Sequence, residues 1–210
     1  MTIADDLYPT MLRESYCPPI VVFYRGDVNL LKAAMVGVVG SRQPTQYSSD
    51  VLSKLLPGII KAGIVTVSGL ASGVDCEAHK QTILNGGKTI AVIGTGLGKT
   101  YPRANEEIQR YIGEHHLVLS EYPANVGPTK YHFPERNRII AGLTLGTLVI
   151  EAKQHSGSLI TANLALQNNR EVFAVPGLIT SELSTGTNEL ILAGAKLVRK
   201  SEHIIEEFFC

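Results

Sequence analysis

"MVGVVGSRQPTQYSSDVLSKLLPGIIKAGIVTVSG", residues 35–69, decides the fold. It opens on the β-branched apolar run "MVGVVG" (35–40), passes through a polar loop and a helical segment, and closes on a second run, "GIVTVSG" (63–69). Both runs are continuously apolar rather than alternating, as expected of strands covered on both faces. Strand, helix and buried strand in that order make a βαβ unit, and such units build parallel sheets.

The rhythm continues through "KTIAVIG" (88–94), "HLVLSEY" (116–122), "GTLVIEA" (146–152) and "EVFAVPG" (171–177). Helix-like segments of about 10–18 residues separate the runs. The expected fold is therefore α/β: a doubly wound, mostly parallel sheet with helices on both faces, spanning 35–210. Residues 1–34 break the rhythm. "YPTMLRESYCPPIVVFYRGDVNLL" (8–31) offers a short helix, a Pro-Pro break, one strand and a turn, and is read as an extension packed on the core. The tail "SEHIIEEFF" has an N-cap signal at Ser201 and apolar pairs Ile204/Phe208 and Ile205/Phe209 at i,i+4 spacing, a face suited to sealing the sheet.

Composition sets limits. The 210 residues are 44% hydrophobic and 18% charged, enough to bury a sizeable core. Nineteen basic and nineteen acidic residues cancel, so any basic site must be local. Cys17, Cys76 and Cys210 form no CxxC spacing and read as reduced thiols. "MTIADDLYPT" carries acids and no apolar core, unlike a secretory signal, and no run approaches the ~20 apolar residues of a membrane span. A soluble, cytoplasmic protein is expected.

In open α/β sheets ligands bind beyond the carboxyl ends of the strands. Here those loops are rich in small and polar residues: "GSRQPT" (40–45), "SGLASG" (68–73), "GTGLGKTYP" (94–102), "EYPANVGPTK" (121–130), "KQHSGSLITA" (153–162) and "PGLITSELSTGTN" (176–188). Any one of them is explained by turns and caps; six on one edge point to an anion or phosphate site. The loop "GTGLGKT" (94–100) imitates a P-loop, but that motif has four residues between its first glycine and the Gly-Lys pair. Gly94 to Gly98 encloses three, and Pro102 falls where the helix should already run. Lys99 also occupies the last glycine's place of a GxGxxG dinucleotide pattern.

Enzyme signatures are thin. The six histidines include no HExxH pair, no GxSxG elbow occurs, and His79 reads as a structural histidine. Glu151 closes a strand, where it would serve either as a catalytic carboxylate or as a holder for Arg136 or Arg138. No metal or cofactor is expected.

"FPERNRIIAGL" (133–143) sets two arginines before an apolar helix. An arginine cannot shed its proton, so each must face water, pair with a carboxylate or meet an external anion. Arg42, Lys99, Lys130, Arg136 and Arg138 all fall along the presumed ligand edge, interleaved with Tyr101, Tyr122, Tyr131 and Phe133. Cations for phosphates and rings for bases make a single-strand groove. Half-buried packing tyrosines and ordinary surface charge account for the spacing equally well.

Taken in order, the stretches "VGVVGSRQPTQYS", "VSGLASGVDCEAH", "GTGLGKTYPRAN", "LSEYPANVGPTKYHFPERNRIIAGL", "VIEAKQHSGSLITANLA", "VFAVPG" and "GTNELILAGA" resemble the DNA-processing protein A family (DprA, also called Smf). The resemblance runs from about residue 7 to 200. It implies a Rossmann-like domain that binds single-stranded DNA as a homodimer, protects incoming strands in natural transformation, helps load the RecA recombinase, and is not a catalyst. It also implies that Gly40, Ser41 and Arg42, with Lys130, Arg136, Asn137 and Arg138, form a basic DNA-binding pocket, edged by Ser156, Gly157 and Ser158. Arg136 and Arg138 are then expected to aim at a DNA backbone, while Asn137 bonds a phosphate or base edge, or caps the helix.

Two departures stand out. The family commonly has aspartate where this chain has Gly98, and many relatives carry an N-terminal helical domain whose junction resembles the start of this chain. The rival expectation is a nucleotide enzyme similar to the lysine decarboxylase-like phosphoribohydrolases. Their PGGxGT-type loop is missing from the corresponding "EAKQHSGSLITA".

Overall fold

The computed structural model describes residues 1–209; Cys210 lies outside the described residues. Eight strands form one sheet: β1 (Phe23–Gly26), β2 (Met35–Val39), β3 (Val65–Ser68), β4 (Thr89–Ile93), β5 (Leu117–Ser120), β6 (Gly146–Val149), β7 (Glu171–Ala174) and β8 (Lys196–Leu197). Their spatial order is β1-β5-β4-β3-β2-β6-β7-β8. All neighbours are parallel except β1, which runs antiparallel to β5. The chain enters the middle of the sheet at β2, winds outward through β3, β4 and β5, then returns to β6 on the other flank of β2. The β2/β6 boundary is thus the switch point at which neighbouring crossovers leave in opposite directions and open a crevice.

Every residue of β2, β3, β4, β5 and β6 is buried, as continuous apolar runs require when helices cover both faces. The helices are α1 (Thr10–Arg13), α2 (Gln46–Lys61), α3 (Val74–Leu84), α4 (Glu106–His115), α5 (His132–Leu143), α6 (Gly157–Gln167), α7 (Thr185–Leu192) and α8 (Glu202–Phe209). One face of the sheet packs Val36, Val38, Leu148 and Phe173 against Leu52, Leu56 and Ile59 of α2, with Ile204 of α8 in the same cluster. Phe208 meets Phe173 edge-on at 6.0 Å, so α8 seals the sheet as its i,i+4 pattern implied.

Residues 1–34 form α1, β1 and a short 3₁₀ turn over Val28–Lys32. Tyr8, Leu12, Val22 and Leu31 share a core with Val65, Val67, Ile90, Leu117 and three α5 residues, Ile139, Ile140 and Leu143. The tyrosine hydroxyl donates to the Pro19 carbonyl at 2.7 Å, which meets its polar need inside that core. Among the described residues, no helix is long and apolar enough to cross a membrane.

Candidate nucleic-acid interface

Because β2 to β7 are parallel, the six polar loops leave the same edge of the sheet. The loop after β2 carries Gly40, Ser41 and Arg42. Gly40 has no room for a side chain, since a Cβ would lie 2.7 Å from Val74 Cγ2. Ser41 accepts the Val74 amide on its carbonyl at 3.1 Å and the Gln43 amide on its Oγ at 3.1 Å. This turn projects Arg42 outward. Its guanidinium is exposed and lies over the Phe133 ring at 5.5 Å, and Tyr101 packs against the same ring at 5.3 Å. A cation against a ring face keeps its charge while ordering its side chain.

Further along the edge, Lys130 is exposed over the Tyr131 ring at 4.9 Å, and Tyr131 is itself 65% exposed. Lys99 and Arg103 are exposed on the β4–α4 connection. Among the described residues Arg42, Lys99, Arg103 and Lys130 have no carboxylate partner within 4.0 Å. Arg103 was not singled out from the sequence. Its signal was available, because it follows the Tyr101–Pro102 step just beyond Lys99.

The two arginines of "RNR" depart from the outward orientation expected of them. Arg136 is 3% exposed and its Nη1 donates to the carbonyls of Gly69 and Val92. Burial pulls its pKa down to about 10, against the upward pull of the nearby Asp75 carboxylate. Arg138 makes a two-pronged bond to Glu121, Nη1 to Oε2 at 2.8 Å and Nη2 to Oε1 at 2.7 Å. The physical reason lies in helix period: Arg136 shares a face of α5 with Ile139, Ile140 and Leu143, at i+3, i+4 and i+7, and that face enters the core. Asn137, between them, is half-buried and its amide donates to the Gly157 carbonyl at 3.3 Å, which ties α5 to the α6 entrance.

At that entrance Gly157 is exposed in open space, Ser158 is buried, and Ser156 Oγ is enclosed without a hydrogen-bond partner. Among the described residues the structure therefore brings Gly40–Arg42 and Lys130 to solvent on one edge, reaches the Ser156–Ser158 turn through Asn137, and places Arg136 beneath.

Other readings are resolved by geometry. Glu151 holds neither arginine. It is 2% exposed and accepts Thr45 N at 2.8 Å, Thr45 Oγ1 at 2.6 Å and Ser48 Oγ at 2.7 Å, closing the N-terminus of α2. The P-loop imitation is folded shut: Gly96 N donates to the Val126 carbonyl and Gly98 N to the Ala124 carbonyl, each at 2.9 Å. Amides that would cradle a phosphate are thereby consumed. A Cβ at Gly98 would sit 2.9 Å from the Ala124 oxygen, so this loop is built around a glycine. His79 is fully buried, with Nδ1 2.7 Å from Thr89 Oγ1, and burial drives its pKa to about 3. The aromatic residues divide. Tyr122 is occupied, stacked on His132 at 3.9 Å and donating to Glu135 Oε2 at 2.9 Å, whereas Tyr101 and Tyr131 keep exposed rings.

Comparison with known proteins places the whole described chain in one family. Residues 1–209 match the family model described as DNA recombination-mediator protein A. DNA processing protein DprA of Streptococcus pneumoniae is 51% identical over 207 residues, covering 99% of this chain and 73% of that protein. The X-ray structure of the pneumococcal protein superposes with a TM-score of 0.96 at 50% identity, over 99% of this chain and 73% of the other. A structure concerned with the single-stranded DNA binding mode of DNA processing protein A from Helicobacter pylori superposes with a TM-score of 0.87 at 31% identity, covering 95% of this chain and 92% of the other.

Proposed function

Given that the chain belongs to the DNA recombination-mediator protein A family, we propose that it binds single-stranded DNA along the C-terminal edge of its sheet. The observation that carries this reading is Arg42: an exposed cation without a carboxylate partner, seated on Phe133 beside Tyr101 at the switch-point crevice. A phosphate meets the guanidinium there and a base finds an exposed ring within reach, the pairing a single strand requires. Lys130, with Lys99 and Arg103, extends the track. Gly40, Ser41, Gly157 and Ser158 line it with backbone and hydroxyl groups, and Asn137 sets the spacing between α5 and α6. Arg138 joins the contacts only by leaving Glu121, and Arg136 supports the site from below. Zero net charge is compatible with this site, since a groove gripping a few phosphates needs only a few local cations.

The role is binding rather than catalysis, because among the described residues the one buried strand-end carboxylate of this edge, Glu151, is committed to α2. We extend the reading to protection of incoming strands in natural transformation and to handing them to RecA in the cytoplasm, as a homodimer. For the dimer, the support is the β8 end of the sheet: a two-residue edge strand with Leu197 39% and Leu192 88% exposed. Sedimentation of the wild type and Leu192→Glu tests it, with a dimer expected for the first and a monomer for the second.

The binding test is fluorescence anisotropy of labelled oligo-dT across a salt series. Wild type should bind with a negative salt slope, and Arg42→Ala should lose affinity and about 0.7 of that slope, one single-strand phosphate's share. Absence of binding at low salt would sink the reading, and release of free base from nucleoside monophosphates would replace it with the phosphoribohydrolase alternative.

A further inference from the structure

Beneath Arg42 lies a second, buried polar assembly. Asp75, in the first turn of α3, is 7% exposed and its Oδ2 accepts the Gly69 amide at 3.1 Å. The carbonyl of the same Gly69 accepts a bond from Arg136 Nη1. Asp75 and Arg136 are thus joined through one glycine residue, at its N–H and its carbonyl, without a direct salt bridge, since their charged atoms do not approach within 4.0 Å. Gly69 has to be glycine, because a Cβ there would run into the guanidinium.

This assembly fixes the loop over 69–74, and that loop is the seat of the Arg42 turn. Val74 N donates to the Ser41 carbonyl at 3.1 Å, and the Val74 side chain fills the space over Gly40. Gly73 adopts φ of 78°, and a side chain at that position would overlap the Ser41 carbonyl and the Arg42 backbone. From Arg136 to Arg42 the path is one continuous run of hydrogen bonds and close backbone contacts.

We propose that Asp75 and Arg136 are positioning residues for single-strand binding: acting through Gly69 and the 69–74 loop, they hold the Ser41–Arg42 turn so that Arg42 presents its guanidinium to a phosphate. The inference rests on the DNA-binding reading above. Electrostatics alone predicts the opposite effect for Asp75. A carboxylate under a phosphate site repels the ligand, so neutralising it should tighten binding. Burial raises the Asp75 pKa while Arg136 and then Arg42 pull it back down, which places all three charges within one another's field. Removing the anion also leaves two like charges facing each other across the turn.

The test is a double-mutant cycle on oligo-dT affinity with wild type, Asp75→Asn, Arg42→Ala and the double variant, with a melting curve for each. Asp75→Asn should bind about tenfold more weakly and lose the same portion of salt slope as Arg42→Ala, and the double variant should bind no worse than Arg42→Ala. Tighter or unchanged binding by Asp75→Asn overturns the proposal, as do losses that multiply in the double variant, since a merely structural defect is indifferent to Arg42. Should Asp75→Asn fail to fold, Arg136→Lys enters the same cycle. Lysine keeps the charge but lacks the rigid planar guanidinium whose Nη1 donates to both the Gly69 and Val92 carbonyls, and its loss of affinity must likewise vanish in the Arg42→Ala background. Failure of the wild type to bind would count against the DNA reading itself, an outcome separate from any result of the cycle.

Discussion

At the scale of single residues, three neighbouring cations meet three fates. Arg42 stands free on an aromatic ring, Arg138 is spent on Glu121, and Arg136 is enclosed. Water, carboxylate and interior carbonyls are the outlets open to a group that cannot deprotonate, and the site uses all of them. The consequence for Arg138 is measurable. Its side chain is 17% exposed and Glu121 is 25% exposed, so the pair is sheltered enough to matter. Replacing Arg138 with alanine should lower the unfolding free energy by about 1.5–3 kcal/mol, the range for hydrogen bonds to charged groups. Urea denaturation gives that number directly, while oligo-dT affinity should fall less than in Arg42→Ala. The reverse ranking would show that Arg138 leaves Glu121 to contact DNA.

At the scale of elements, the first crossover helix shows how the switch-point loop is kept rigid. In dinucleotide-binding sheets a helix N-terminus at this position receives the pyrophosphate. Here the N-terminus of α2 receives the protein's own carboxylate. Glu151 leaves the end of β6 and takes three hydrogen bonds from Thr45 and Ser48, so the loop between β2 and α2 is anchored at both ends. Truncating Glu151 to alanine removes a helix cap and leaves the buried Ser48 hydroxyl unsatisfied. It should cost about 2 kcal/mol or more by urea denaturation. Single-strand binding should also weaken, although Glu151 is buried. Stability unchanged from wild type would show that the hydroxyls repartner without it.

At the scale of the whole molecule, the interior carries histidines that acid must charge. Burial pulls His79 down to about 3 and His116 to about 4, from an ordinary value of 6.5. Between those values the unfolded chain binds protons that the folded chain refuses. Stability from these rings is therefore fully present above pH 6.5 and is lost as pH falls through the window. The slope approaches about 1.4 kcal/mol per pH unit for each ring. Asp75 acts in the opposite sense, since its raised folded pKa favours the native state as acid is added. Urea midpoints measured from pH 7 to 5 should fall, with a shallower fall in His79→Gln. A midpoint flat across that range would show that the histidines are not buried neutral.

How much of this was written in the chain differs from element to element. The six strands β2 to β7 sit where their apolar runs end within a few residues, because burial on both faces leaves a continuous signal in one dimension. The polar loops that follow them, and so the edge carrying the site, follow from the parallel order alone. The two-residue β8 left no such signal, and the antiparallel pairing of β1 with β5 depends on residues about a hundred positions apart in sequence. The fate of each charge was likewise decided in three dimensions. Arg136 carried a local hint in its i+3, i+4 and i+7 neighbours, but its acceptors, Gly69 and Val92, come from the ends of two other strands. Glu151 pairs with residues 103 and 106 positions away, not with the arginines nearby in sequence. The sequence alone determined the layers and the edge on which the polar loops gather, since those depend on periodicity and chain order. The tertiary structure alone decided which cations face that edge, since a side chain's partner is set by contacts between segments that share no local pattern.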